Sequence, residues 1–267
     1  MVKLILLEWA SGTKGGIKDM SGHSKWATIR RQKAANDARR GQLFTKLARA
    51  ITIAAREGGG DPDTNFKLRL AIQKARENNM PMDNIERAIQ RGVGSGEGDQ
   101  YEEVFYEGYG PGGVAMLIQA TTDNRRRTVS EVRSVLTRSG GSLGATGCVA
   151  WLFDPKGLII LDSQGRDAEE LALRAIDAGA EDVNIDDGQV EVRTDLATFQ
   201  IVKEALEKQA PIISAELSMV PKTMVSLDEK DALRSMRLME QLEDLDDVQA
   251  VFTNLDISDA LIAQATA

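Results

Sequence analysis

At 267 residues, with 42% hydrophobic, 28% charged and 4% aromatic content, the chain has the composition of a soluble globular protein long enough for two or three domains. Its formal net charge of −8 argues against a polyanion partner only while the chain is averaged. Residues 21–99 carry 15 Lys and Arg against 9 Asp and Glu, whereas residues 100–267 carry 15 against 30, so the expected division of labour is a polyanion-facing N-terminal part and an acidic body.

In chain order, residues 1–19 follow no period and Met20-Ser21-Gly22-His23 reads like a second start, so the leader is set apart as an extension expected to be disordered. Residues 24–40 read as a helix with a thin apolar stripe, carrying Lys25, Arg30, Arg31, Lys33, Arg39 and Arg40, with Trp26 its one aromatic residue. From 41 to 57, Leu43, Phe44, Leu47, Ala50, Ile51 and Ala54 recur at three and four, which predicts a helix with one buried face and with Lys46, Arg49 and Arg56 on the other. Gly58-Gly59-Gly60 stops it, and Asp61-Pro62 is the expected start of a second helix that buries Leu68, Ala71, Ile72 and Ala75. Met80-Pro81 opens a third, burying Ile85, Ala88 and Ile89, with Arg87 and Arg91 four apart. Gly92, Gly94, Gly96 and Gly98 read as a flexible linker that closes a basic helical domain over residues 20–98.

Beyond residue 99 the period changes to alternation. Strands are predicted at 101–107 and 114–121 around a glycine-rich turn, then a helix at 124–138 burying Val129, Val132, Val135 and Leu136, then a strand at 148–153. From 156 the order is strand (157–161), helix (168–178), strands (182–186 and 189–193) about the hairpin signal Asp187-Gly188, helix (197–209) and strand (212–219). This β-α-β-β-α-β order is the ferredoxin-like pattern. Ser226-Leu227-Asp228-Glu229 opens an acidic helix to about residue 245, followed by a strand at 248–254. If these complete the sheet begun at Tyr101, residues 156–219 are an insertion in a domain built from 99–155 and 220–267.

The strongest local signal for chemistry is Arg125-Arg126-Arg127 at a predicted helix start, where the helix dipole disfavours each exposed cation by about 0.3–1 kcal/mol. A compensating anion is expected: a phosphate held by free N–H groups and guanidinium forks, or the carboxylates of the acidic body. Cys148 is the single cysteine and His23 the single histidine, which excludes a disulfide framework, a multi-Cys zinc site, a His-based triad and a paired-His metal site. His23 reads either as a surface anchor or, with Lys25 and Trp26, as an arm entering a nucleic-acid or ribosomal pocket with Trp26 as its stacking face. No carboxylate pair stands out, and no stretch approaches the roughly 20 apolar residues of a membrane span. The chain is therefore expected to be a cytoplasmic non-enzyme without cofactor, metal, membrane or small-molecule substrate. Its expected nucleic-acid contacts are His23, Lys25, Trp26, Arg30, Arg31, Lys33, Arg39, Arg40, Lys46, Arg49, Arg56 and Arg125 to Arg127.

Gly22-His23-Ser24-Lys25-Trp26, Phe44-Thr45-Lys46-Leu47, Ala55-Arg56-Glu57-Gly58-Gly59-Gly60-Asp61-Pro62, Asn79-Met80-Pro81, Asp83-Asn84-Ile85-Glu86-Arg87-Ala88-Ile89, Thr122-Asp123-Asn124-Arg125 and Gly144-Ala145-Thr146-Gly147-Cys148-Val149 together resemble the YebC family, which takes in bacterial probable transcriptional regulators and mitochondrial translational activators. The resemblance spans nearly all of residues 20–256. It implies an α+β protein of three domains: an all-helical N-terminal one, then two α/β-sandwich (ferredoxin-like) domains, the third inserted in the second. It also implies DNA binding linked to transcriptional regulation, with binding to ribosomal RNA and the ribosome during synthesis of difficult peptides as the alternative. It offers no catalytic residues to carry over. A protein-interaction adaptor is the third reading. The leader before Met20 departs from the family pattern, Arg30-Arg31-Gln32-Lys33 varies a basic stretch, and Arg126 stands where asparagine is more usual.

Overall fold

The computed structural model describes Trp26 and residues 37–94, 101–186 and 188–266. It divides into two compact units, one formed by residues 155–219 and the other by residues 26–154 with 220–267.

In the larger unit, α1 (Asp37–Gly58), α2 (Phe66–Glu77) and α3 (Met82–Val93) pack around their own core of Leu47, Ile51, Leu68, Ile72, Met80, Ile85 and neighbouring alanines. These are the stripes that the three-and-four spacing marks. Gly59, at φ 88°, takes the left-handed turn that ends α1. The second helix does not begin at Asp61-Pro62. Asp61 caps a turn instead, its Oδ1 accepting the Asp63 amide at 3.0 Å, and Asn65 is the true N-cap, accepting the Leu68 amide at 3.1 Å. Asn65 is buried, and its Nδ2 donates to the carbonyls of Ala54 (2.7 Å) and Gly59 (2.8 Å), which ties the end of α1 to the start of α2. One asparagine thus satisfies orphan groups at two helix termini.

Gly92 is not linker. It is buried in the last turn of α3, where an added Cβ would lie 2.5 Å from the Thr52 carbonyl oxygen and 2.6 Å from the Ala55 Cβ of α1. Gly96 and Gly98 lie outside the described residues.

The larger unit also holds a four-stranded sheet. Its strands β1 (Glu102–Tyr109) and β2 (Ala115–Thr122) form the expected antiparallel hairpin, with Glu102 opposite Thr122 and Tyr109 opposite Ala115. The two-residue β3 (Ser142–Leu143) sits on one side of β1, and β8 (Val248–Thr253) pairs antiparallel with β2 on the other. Helices α4 (Arg125–Arg138) and α7 (Glu229–Glu243) supply Val132, Leu136, Met236, Met239 and Leu242 to a core that includes Met116 and Ile118 of β2. A C-terminal helix α8 (Asp259–Thr266), which the periodicity does not announce, adds Ile262 to the same core.

Residues 148–153 are not a strand. A 3-10 turn spans Ala150–Leu152, and the chain becomes extended only at β4 (Phe153–Asp162). The cause is Glu107, a buried carboxylate on β1 that accepts the amides of Gly147 (2.6 Å), Val149 (2.7 Å) and Ala150 (2.8 Å). Burial alone would push its carboxyl up, but these N–H groups together hold it below the ordinary glutamate value. A backbone whose donors converge on one anion cannot offer them to a neighbouring strand.

The smaller unit runs β4, α5 (Ala168–Asp177), β5 (Asp182–Asp186), β6 (Gln189–Thr194), α6 (Phe199–Glu207) and β7 (Ile212–Pro221), with sheet order β5-β6-β4-β7. Both the element order and the placing of its first strand between the third and fourth are ferredoxin-like. Ile159, Leu161, Val192, Leu171, Val202 and Leu206 are fully or nearly buried in this unit. Gly157 admits the Phe199 ring, whose Cδ2 lies 2.1 Å from where a Cβ would stand.

Gly92→Ala overpacks the α1–α3 contact against backbone and should destabilise the protein by about 1–3 kcal/mol. A chemical-denaturation midpoint equal to or above that of the parent protein would show that the helices separate without cost.

Candidate nucleic-acid interface

The residues expected to contact a polyanion divide into three groups. His23, Lys25, Arg30, Arg31 and Lys33 lie outside the described residues, and Arg39 falls within α1. Trp26 is helical but 3% exposed, packed in the core that lies between the sheet and α4, α7 and α8. Its ring fills a core and presents no stacking face, which corrects the expectation drawn from its neighbours. The remaining residues can be placed one by one.

Lys46, Arg49 and Arg56 share a face of α1, as their spacing predicts, and that face meets the acidic body. Lys46 Nζ donates to the Glu243 carbonyl oxygen. Arg49 Nη1 donates to the Asp246 carbonyl at 2.8 Å and to Asp247 Oδ1 at 2.9 Å, and its guanidinium lies 5.1 Å from the Tyr101 ring centroid. Arg56 Nη1 donates to the Tyr101 carbonyl at 3.0 Å while its side chain stays exposed. On the same face, Gln42 Nε2 reaches Asp246 Oδ1 at 3.3 Å.

Arg125 to Arg127 do occupy the first turn of α4, with Asn124 as N-cap accepting the amides of Arg126 (3.1 Å) and Arg127 (3.2 Å). Carboxylates supply the compensation that a helix start demands of cations. Arg125 makes a forked pair with Glu102 at 2.5 and 2.6 Å, and Arg127 Nη2 reaches both Asp123 Oδ1 and Asp247 Oδ2 at 2.7 Å. Arg126 is exposed and pairs with no carboxylate among the described residues.

These threads meet at Asp247, which no local sequence signal marks. Its side chain is 2% exposed. Oδ2 accepts the hydroxyls of Thr128 (2.6 Å) and Thr122 (3.1 Å) besides Arg127, and Oδ1 accepts Arg49. Burial pushes its carboxyl up, but the Thr128 and Arg127 hydrogen bonds and the charges of Arg127 and Arg49 together hold it below the ordinary aspartate value. Arg127 in turn is held charged, chiefly by Asp247 and then by Asp123.

The cations left facing solvent include Arg40 on α1, Arg76 on α2, Arg87 and Arg91 on α3, and Arg126, Arg133 and Arg138 on α4, and, farther along the chain, Arg166, Lys208, Lys230 and Arg237. All are exposed and none pairs with a carboxylate among the described residues. Arg87 and Arg91 edge a cleft of about 230 Å³ between α1 and α3.

The arrangement matches known proteins over most of its length. The description "TACO1/YebC protein N-terminal domain" fits residues 24–95, and "TACO1/YebC second and third domain" fits residues 101–255. The chain belongs to the TACO1/YebC family. A "Probable transcriptional regulatory protein" of Chloroflexus aurantiacus is 59% identical over 249 residues, covering 92% of this chain and 99% of that protein. One from Geobacter sulfurreducens is 57% identical over 240 residues, covering 90% and 97%. The crystal structure of a conserved hypothetical protein from Aquifex aeolicus superposes with a TM-score of 0.77 at 49% identity, covering 84% of this chain and 93% of that one. For this TACO1/YebC chain, no described helix is long and apolar enough to cross a membrane.

Asp247→Asn should destabilise the protein on the order of 3 kcal/mol, because it leaves Arg49 and Arg127 without their shared anion. Because the folded value of Asp247 is depressed, its contribution is fully present above the unfolded aspartate value of about 3.9 and is lost as pH falls through the lower folded value. The stability gap between parent and Asp247→Asn should therefore hold from neutrality to about pH 5 and narrow below about pH 4. A gap that stays constant to the acid limit, followed by urea unfolding, would show that the carboxylate charge is irrelevant.

Proposed function

We propose that this chain is a non-enzymatic cytoplasmic regulator that binds DNA through its helical N-terminal region. The observation that supports the reading is a set of four exposed arginines on the helical region that no described carboxylate claims. Arg40, Arg76, Arg87 and Arg91 of the helical region, with Arg126 of α4, remain exposed and without carboxylate partners among the described residues, on a chain where acidic residues outnumber basic ones 41 to 33. Exposed arginine forks suit phosphate oxygens, and their summed attraction is sequence-independent and salt-sensitive. Regulation of transcription follows the names of the relatives. Lys46, Arg49, Arg125 and Arg127, which the linear sequence nominates equally, act here as braces of the fold and contribute to binding by holding the surface in place.

Titration of labelled duplex DNA and of RNA over a salt series tests this. The triple substitution Arg40→Ala, Arg76→Ala, Arg126→Ala should flatten the slope of log affinity against log salt by up to about 0.9 for each duplex phosphate contact removed. An unchanged slope rejects the surface, and retention of RNA alone moves the target from DNA to the ribosome.

A further inference from the structure

The cleft edged by Arg87 and Arg91 has a chemistry that general phosphate attraction does not require. Its floor is apolar, made by Phe44 and Ala48 of α1 with Met80, which precedes α3, and Ala88 from the middle of that helix. One wall is the Tyr101 ring, which carries the Arg49 guanidinium 5.1 Å from its centroid. The rim holds Arg87, Arg91 and Asn84, and no carboxylate among the described residues lines it. Asn84 Oδ1 already accepts Arg87 Nη2 at 2.6 Å, so the amide's N–H groups are the ones left to meet an acceptor. Arg87 is further steadied by donating Nε to the Asp83 carbonyl at 3.0 Å.

A volume of about 230 Å³ falls below the roughly 300–1,000 Å³ of ordinary small-molecule sites. It suits one flat ring. An apolar slot with aromatic surface, an amide donor and two arginine forks at its mouth matches a ring that carries polar edges and is followed by a phosphate. We infer that this cleft receives a single unpaired nucleobase, with Arg87 and Arg91 on the adjoining phosphates, so that the protein prefers single-stranded over duplex nucleic acid. The inference rests on the nucleic-acid reading above and specifies which form is bound. A base stacked inside a duplex cannot enter such a slot without being unpaired, whereas one in a single strand is already available.

The test uses the full chain, with one fluorescein-labelled mixed-sequence DNA offered as a single strand and as a blunt duplex. Binding is followed by anisotropy at fixed salt. The unsubstituted protein should bind the single strand more tightly. Ala48→Trp, which fills the slot, should lower single-strand affinity roughly 5- to 150-fold, the range of one lost base stack, and leave duplex affinity within twofold. If thermal melting shows that Ala48→Trp disturbs the fold, Arg87→Ser with Arg91→Ser decides, since both side chains are exposed; it should weaken single-strand binding more than duplex binding. Equal affinity for the two forms, or equal losses on both, overturns the cleft and leaves the nucleic-acid reading standing. Failure to bind either form, or RNA, overturns both.

Discussion

The Asp247 carboxylate, 2% exposed, accepts hydrogen bonds from Arg49 of α1, Thr122 of β2, and Arg127 and Thr128 of α4. A charge so far from water is tolerable only when every lone pair is used and opposite charge is near. Meeting that demand fixes where α1 lies, where α4 begins and how β2 ends. The main chain at the same residue is also engaged, since the Asp247 carbonyl accepts the Thr121 amide at 2.7 Å. The helical region and the α/β part of the larger unit are therefore joined by a specific polar junction in addition to the apolar cores on either side of it.

That junction sorts the basic residues by role. Guanidinium groups committed to Asp247 or Glu102 cannot also serve as mobile phosphate contacts without leaving a carboxylate unpaired. For Asp247, dry as it is, the cost would be large; for the exposed Glu102 it would be small. The cations free of carboxylate partners are accordingly fewer than the basic composition of residues 21–99 suggests, and within the Arg125 to Arg127 run, where all three side chains are exposed, Arg126 alone pairs with no described carboxylate.

Local order was readable where it depends on near neighbours. The stripes of α1 to α3, the β1–β2 hairpin, the helix beginning near residue 124 and the ferredoxin-like order of the smaller unit all follow from spacing of two, three or four. What escaped depends on partners distant in sequence. That Arg127 needs an anion was legible; that the anion is Asp247, 120 residues onward, was not. Residues 148–153 have the apolar content of a strand, yet Glu107, about 40 residues earlier, gathers their amides into a turn. Gly92 sits among glycines that look like linker, and only the approach of α1 distinguishes it. Trp26 stands beside residues that invite a surface reading, and only the tertiary core removes it from view.

The sheet order β3-β1-β2-β8 carries a consequence for how the chain is made. β2 ends at Thr122, and the strand that covers its far edge begins at Val248. During synthesis the whole ferredoxin-like unit emerges between them. For that interval β2, whose residues are almost all buried in the finished protein, has an unpaired edge and half-covered apolar faces, the kind of surface that nascent chains aggregate through. The inserted unit has all of its own strands to hand and can close first, while the larger unit, though begun earlier, is completed last.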